Sequence, residues 1–60
     1  MKETRSTVEK ALREGGYNWI EWNDNGTEMT AIMTSSGVAV SCIKYQFTKG
    51  GKLISERKVK

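Results

Sequence analysis

Apolar side chains recur at helical spacing near the start of the chain, over residues 4–14. They form one stripe among charged residues and comprise Val8, Ala11 and Leu12. This pattern predicts an amphipathic helix of about three turns. Thr4 or Ser6 is expected to cap its start, and Gly15 to end it in the left-handed conformation. A helix this short depends on packing against the rest of the chain.

After the helix, the pattern changes to the alternation typical of β-strands, and glycines divide the chain into four segments of strand length. The predicted strands cover residues 17–22, 27–34, 38–48 and 52–59. Asn25-Gly26 lies between the first two and is the strongest short signal of a hairpin, because both central residues of a type I′ turn need positive φ. The sequence therefore predicts a two-residue turn at this position.

The first hairpin is predicted to carry one tryptophan on each face of the sheet. With a turn at Asn25-Gly26, Trp22 lies opposite Met29, and the alternation of side chains then gives one nearly apolar inner face. The same face pairs Ile20 with Ala31 and Asn18 with Met33. The outer face is expected to carry Tyr17, Trp19 and Ile32.

The register of the second hairpin depends on the length of its glycine loop. A two-residue loop at Gly50-Gly51 would put charged residues of the last strand on the apolar face. A three-residue loop, Lys49 to Gly51, instead sets Phe47 opposite Leu53, and we predict this register. It brings Val59 onto the inner face. The outer face then pairs Lys44 with Glu56 and also carries Lys58 and Lys60.

One mismatch of parity remains within the third predicted strand. Val38 and Val40 alternate out of step with Ile43 and with the aromatic residues that follow it. A β-bulge near Ser41 or Cys42 restores the alternation. The alternative is a strand whose two faces are both partly buried.

These elements predict an α+β fold in a single domain, residues 1–60. The short N-terminal helix packs on one face of a four-stranded antiparallel β-meander made of two hairpins. A chain of 60 residues supports one small core. Its expected members are Val8, Ala11, Leu12, Ile20, Trp22, Met29, Ala31, Met33, Val38, Val40, Ile43, Tyr45, Phe47, Leu53 and Val59. The opposite face is expected to stay open, with Trp19, Ile32 and Ile54 beside the three outward lysines.

Reactive side chains are few in this sequence. It has one cysteine, Cys42, and no histidine, which excludes an intramolecular disulfide, zinc sites built from Cys and His, and histidine-based triads. No pair of carboxylates has a diagnostic spacing. We therefore expect a protein that is not an enzyme and has no catalytic, cofactor-binding or metal site, with Cys42 as a small core residue.

Two features of the sequence bear on its location. No apolar run approaches the roughly 20 residues that a membrane span needs, and the first ten residues lack the apolar segment of a signal peptide. A single cysteine fits a reducing compartment. We expect a cytoplasmic protein with no membrane partner.

The net charge of +3 is unevenly distributed along the chain. Residues 17–37 contain three acidic residues and no basic one, whereas residues 38–60 contain six basic residues and Glu56 as their one acidic residue. The two hairpins therefore differ in the sign of their charge. A partner that contacts both of them meets an acidic and a basic side.

The first functional hypothesis is binding to another protein. Aromatic residues surrounded by charge are the usual anchors of protein interfaces, and the expected contacts are Tyr17, Trp19, Ile32, Lys44, Lys58 and Lys60. By size and composition alone, the chain also fits the pattern of phage or mobile-element products that inhibit a larger host protein by occluding it. The alternatives are that Trp19 merely covers the sheet or forms the contact of a homodimer.

The second hypothesis is nucleic-acid binding by the basic hairpin. Cations along two neighbouring strands and their turn can follow a phosphate backbone. The expected contacts are Lys44, Lys49, Lys52, Arg57, Lys58 and Lys60. The structural alternative is a lysine-rich edge that discourages unwanted strand pairing.

Overall fold

The computed structural model describes residues 4–60. Its elements are helix α1, Arg5–Glu14, and strands β1, Trp19–Trp22, β2, Glu28–Ser35, β3, Val38–Phe47, and β4, Leu53–Lys58. The strands form one antiparallel sheet in the order β1-β2-β3-β4, which confirms the predicted α+β fold with a β-meander. Within residues 4–60, no helix is long and apolar enough to cross a membrane.

Helix α1 begins at a capping box. Thr4 is the N-cap residue, its N–H donates to Thr7 Oγ1 at 2.9 Å, and its own side chain accepts from the Thr7 N–H. Of the two predicted caps, Thr4 is therefore the one used. The cap also lies beside the sheet, because Thr4 forms an isolated antiparallel bridge with Lys52.

Helix α1 ends at Glu14 as predicted, but the left-handed glycine that follows it is one position later than the sequence predicts. Gly15 has φ −83° and still donates to the Ala11 carbonyl at 2.9 Å, so the left-handed residue is Gly16, with φ +102°. The N–H of Tyr17 then donates to the Leu12 carbonyl at 2.9 Å. This is the hydrogen bond of a Schellman motif, which places the glycine with positive φ at the first residue beyond the helix cap.

Helix α1 covers one face of the sheet, here called the helix face. Val8 and Leu12, one turn apart, are its buried residues, and Ala11 is exposed, so the buried stripe is narrower than predicted. They join Met29, Ala31, Tyr45 and Phe47 in the core, against which Tyr17, Ile20, Trp22, Ile43 and Leu53 pack. Trp22 also donates from Nε1 to Glu9 Oε1 at 3.1 Å, which ties the helix to β1.

The first hairpin has the predicted register but not the predicted turn. Trp22 pairs with Met29, as expected. However, the one positive φ in the loop belongs to Gly26, so this is not a type I′ turn. The Gly26 N–H donates to the Asn23 carbonyl at 3.2 Å and closes a turn. This turn lies inside the pair of Asn23 and Glu28, in which the Asn23 N–H donates to the Glu28 carbonyl at 3.0 Å. The longer loop adds one residue to each side, so the register is unchanged.

A β-bulge interrupts β3 close to the predicted place. Met33 pairs with Ser41 but Thr34 pairs with Ala39, so Val40 is the extra residue. The bulge does not bury the valines as predicted, since Val38 is 59% exposed and Val40 is 49% exposed. Parity alone does not bury a side chain: the buried residues of α1 pack on the other end of the sheet, around Met29 and Phe47.

The second hairpin begins in the predicted register and then leaves it. Its loop runs between Thr48 and Lys52, with the Thr48 N–H donating to the Lys52 carbonyl at 2.8 Å, and Phe47 pairs with Leu53 as predicted. A second bulge follows, because Gln46 pairs with Ser55 and Ile54 is the extra residue. Beyond it the pairs are Tyr45 with Glu56, Lys44 with Arg57 and Ile43 with Lys58.

This second bulge corrects three predictions. Lys44 lies opposite Arg57 and not Glu56, and Lys58 lies on the helix face because it pairs with Ile43. Val59 is 52% exposed and is not a core residue. The physical reason is that one extra residue reverses the parity of everything after it. The edge strand tolerates this, since its charged side chains reach solvent on either face; Glu56 and Lys58 are both exposed.

Candidate protein-binding face

The side of the sheet opposite α1, here called the open face, is uncovered by any element within residues 4–60. Side chains alternate along each strand, and residues directly opposite each other on paired strands lie on the same side. The buried side chains of Met29, Ala31 and Tyr45 define the helix face. Their sequence neighbours therefore lie on the open face, in rows that cross the sheet.

The first of these rows, the apolar row, consists of Trp19, Ile32, Cys42 and Val59. Trp19 pairs with Ile32, and Ile32 pairs with Cys42. Val59 follows the last strand, two residues after Arg57, so alternation places it on the open face. Its N–H donates to the Cys42 carbonyl at 2.8 Å, and the Lys60 N–H donates to the same carbonyl at 3.2 Å. Trp19 is 54% exposed at one end and Val59 is 52% exposed at the other, while the two middle residues are half-buried.

The next row, the charged row, consists of Glu21, Thr30, Lys44 and Arg57. It is continuous because each residue pairs with the next across β1, β2, β3 and β4. The carboxylate lies on one edge strand and the two cations lie on the opposite half of the sheet. The charge difference between the two hairpins thereby becomes a separation of charge across one face.

The charged row borders a third row and a shallow depression. Glu28 pairs with Gln46, which pairs with Ser55. A depression of about 440 Å³ lies here, lined by Glu28, Lys44, Tyr45, Gln46, Ser55 and Arg57. Its lining is polar, with one carboxylate and two cations. Within residues 4–60, no group of three or more Cys, Asp or Glu side chains is placed to hold a metal ion.

The structure brings together three of the six residues predicted to bind a protein partner. Trp19, Ile32 and Lys44 share the open face, in two adjacent rows. Lys58 is exposed but lies on the helix face. Lys60 is exposed at the end of the chain, where its carbonyl accepts from the Cys42 N–H at 3.2 Å.

Tyr17 was predicted to lie on the outer face, and this is wrong. Its side chain packs against the core, and its hydroxyl lies 2.9 Å from Ser41 Oγ in a partly buried hydrogen bond. Tyr17 precedes β1 and belongs to the motif that ends α1. The alternation of the strand therefore does not extend to it.

The six residues predicted to contact phosphates occupy separate parts of the surface. Lys44 and Arg57 are neighbours on the open face. Lys58 lies on the helix face, and Lys49 and Lys52 lie at the β3–β4 loop. That loop is at the other end of the hairpin from Lys60, whose backbone forms hydrogen bonds with that of Cys42.

Sequence reasoning missed two members of the apolar row. Cys42 was expected in the core, but it pairs with Ile32 and is half-buried on the open face. Because Cys42 directly precedes Ile43, which was predicted on the inner face, the alternation of side chains already indicated the outer face for Cys42. Val59 was assigned to the core because no residue in the sequence marks the bulge at Ile54.

Comparison of the chain with protein-family models, with curated proteins and with solved structures gives no match. The case for a function therefore rests on the residues of this chain and their arrangement.

The corrected position of Tyr17 predicts a structural role. We expect Tyr17→Phe to lower the free energy of unfolding by about 0.5–1.5 kcal/mol, because it removes one partly buried hydrogen bond. Urea unfolding followed by circular dichroism measures this. The matched control is Tyr17→Phe in a Ser41→Ala background, where the bond is already absent and the further loss should be close to zero. An equal loss in both backgrounds would contradict the assignment of the bond.

Proposed function

We propose that this chain is a small non-enzymatic protein that acts by binding a protein partner through the open face. The observation that supports this best is the exposure of Trp19, 54%, at one end of a row that also contains Ile32 and Val59. Tryptophan is the residue type most enriched among the side chains that dominate binding free energies, and such anchors are surrounded by polar residues.

The rows beside the apolar row supply that polar surrounding. Glu21 and Lys44 flank the apolar residues on the same face, with Thr30 between them. Charges at the rim of an interface contribute mainly to the choice and orientation of the partner and to the rate of encounter. The open face combines an apolar strip with charges of both signs, and this combination suits a protein partner.

Inhibition by occlusion is one form that this function can take. A larger protein covered by the open face would lose access to its own ligand without any catalytic group on this chain. A cytoplasmic location is part of the proposal, and the unpaired thiol of Cys42 on the same face agrees with a reducing compartment.

The test of the proposed function is the replacement of Trp19. We expect Trp19→Ala to weaken binding of the captured partner by about 2 kcal/mol or more, which is roughly 30-fold in Kd. The immobilised full chain is used to capture proteins from a cell extract, which are identified by mass spectrometry and then titrated. Because Trp19 is exposed and lies outside the core cluster, circular dichroism of the variant should match the parent chain.

Val38→Ala provides the matched control for Trp19→Ala. Val38 is 59% exposed, but it pairs with Ser35 and so lies on the helix face by alternation from Met33. The Val38→Ala variant should therefore capture the same partners with the same affinity as the parent chain. Retention of every partner by Trp19→Ala, or equal losses in both variants, would contradict binding through the open face.

Nucleic acid is the second candidate partner, and the neighbouring side chains of Lys44 and Arg57 on the open face support it. Each of the two phosphate contacts contributes about −0.9 to the slope of the logarithm of the binding constant against the logarithm of the salt concentration. A gel shift with mixed DNA and RNA at two salt concentrations tests this. Binding at low salt that disappears in Lys44→Ala together with Arg57→Ala supports nucleic acid, and no binding at low salt removes it.

A further inference from the structure

We infer that the partner of the open face is a second copy of this chain, bound face to face about a two-fold axis that runs parallel to the strands. The inference rests on the proposed function, because it names the occupant of the same face. Its basis is that the open face is complementary to itself in this orientation, in both its charged row and its apolar row.

When the strands of the two copies are aligned, as in sheet sandwiches, a two-fold axis in the plane of the interface lies along the strands or across them. An axis across the strands puts β1 of one copy over β1 of the other. When this axis runs along the charged row, Glu21 faces Glu21 and Arg57 faces Arg57, so like charges oppose each other at both edges. Like charges in contact across an interface are unfavourable, and this arrangement is disfavoured.

An axis along the strands, between β2 and β3, gives the opposite result. It puts β1 over β4 of the second copy and β2 over β3, and it keeps every row over itself. In the charged row, Glu21 then faces Arg57 of the second copy, and Thr30 faces Lys44. The symmetry makes each of these contacts occur twice.

The apolar row matches itself under the same axis. Trp19 lies over Val59 of the second copy, and Ile32 lies over Cys42. The two side chains that are about half exposed at the ends of the row, Trp19 at 54% and Val59 at 52%, therefore cover each other. Aligned packing of two sheets, about 10 Å apart, is the usual way in which an uncovered apolar sheet face is buried.

The size of the face determines how strong the dimer is expected to be. Four strands and three rows of side chains span on the order of 20 Å by 20 Å. This is smaller than a standard interface, which buries about 800 Å² on each partner. We therefore expect a weak, reversible dimer in rapid exchange with the monomer, with a Kd on the order of 1–100 μM.

The experiment measures the mass of the full chain by sedimentation equilibrium over about 1 μM to 1 mM, a range that spans the expected Kd. The expected result is a shift from 6.8 kDa to twice that mass as the concentration rises. Glu21→Arg and Arg57→Glu should each raise the Kd at least tenfold. The double variant exchanges the two charges and should return the Kd to within threefold of the parent value.

The charge variants are suited to this test because they leave the monomer intact. Glu21 and Arg57 are exposed and lie on opposite edge strands, so they do not contact each other within one copy. Arg57→Glu also places a carboxylate opposite Lys44 of the same copy, which favours the fold. Trp19→Ala should weaken the dimer, and Val38→Ala should not.

The outcomes separate this inference from the proposed function. A mass of 6.8 kDa at every concentration overturns the second copy as partner, and if Trp19→Ala still loses a captured protein, the proposed function stands with a different occupant. A dimer that is insensitive both to Trp19→Ala and to the charge variants uses another surface and also overturns the inference. Loss of dimerisation in both single charge variants, with recovery in the double variant, supports the contact of Glu21 with Arg57 of the second copy and therefore the axis along the strands.

Discussion

Phe47→Ala is expected to leave most molecules unfolded at room temperature. Truncation of a fully buried phenylalanine lowers the free energy of unfolding by about 3–5 kcal/mol. Phe47 is 2% exposed, and its ring lies 5.4 Å from that of Trp22 and 6.5 Å from that of Tyr45, measured between centroids. The cavity left by the ring would lie in the middle of the core, where α1 meets the sheet.

The small size of the domain explains why this loss is decisive. A single core in a chain of this length rarely supplies more than about 3–5 kcal/mol of stability. The measurement is urea unfolding followed by circular dichroism and by tryptophan fluorescence. Ile54→Ala is the control, since Ile54 is 61% exposed and its loss should change the stability by less than about 0.5 kcal/mol. A loss of stability in Phe47→Ala no larger than that of a surface change, about 0.5 kcal/mol, would contradict this account of the core.

The parts of the fold that depend on alternation were predictable from the sequence. The first hairpin was predicted in its correct register although its turn type was wrong, because a loop that lengthens equally on both sides preserves the pairing of Trp22 with Met29. The bulge in β3 was predictable for a similar reason. A mismatch of parity between Val40 and Ile43 needs one extra residue, and the structure has it at Val40.

The bulge at Ile54 was not predictable in the same way. The residues of β4 after it are mostly polar, so either parity leaves charged side chains in solvent and the sequence contains no signal that separates the two. The error moved Lys58 to the helix face and hid the pairing of Lys44 with Arg57. The charged row, and with it the self-complementarity of the open face, becomes visible only once this register is known.

Arg5 joins the start of α1 to both hairpin loops. The pattern of apolar and polar residues does not predict this contact. Its backbone N–H donates to the Gly51 carbonyl at 3.1 Å, and its Nη1 donates to the Gly26 carbonyl at 2.9 Å. The guanidinium group lies against Gly51, where an added Cβ would be 3.2 Å from Nη2. Gly51 is buried and has φ +94°.

We expect Gly51→Ala to lower the free energy of unfolding by about 2–3 kcal/mol. About 1–2 kcal/mol comes from the positive φ, which is unfavourable for any residue with a Cβ. The remainder comes from displacement of the Arg5 guanidinium. Gly37→Ala is the matched control, because Gly37 has φ +79° and an added Cβ there meets nothing within 4 Å. It isolates the backbone contribution, and both variants are measured by urea unfolding.

A double-mutant cycle with Arg5→Ala then assigns the remainder to its cause. In the Arg5→Ala background the guanidinium is gone, so Gly51→Ala should cost about 1 kcal/mol less than it does in the parent chain. A cost that is equal in the two backgrounds would mean that the Arg5 side chain moves aside freely and does not hold the loop. Because Arg5 contacts the two loops and the apolar row lies at the far end of the sheet, beyond Glu21, none of these variants should alter dimerisation through the open face while the chain remains folded.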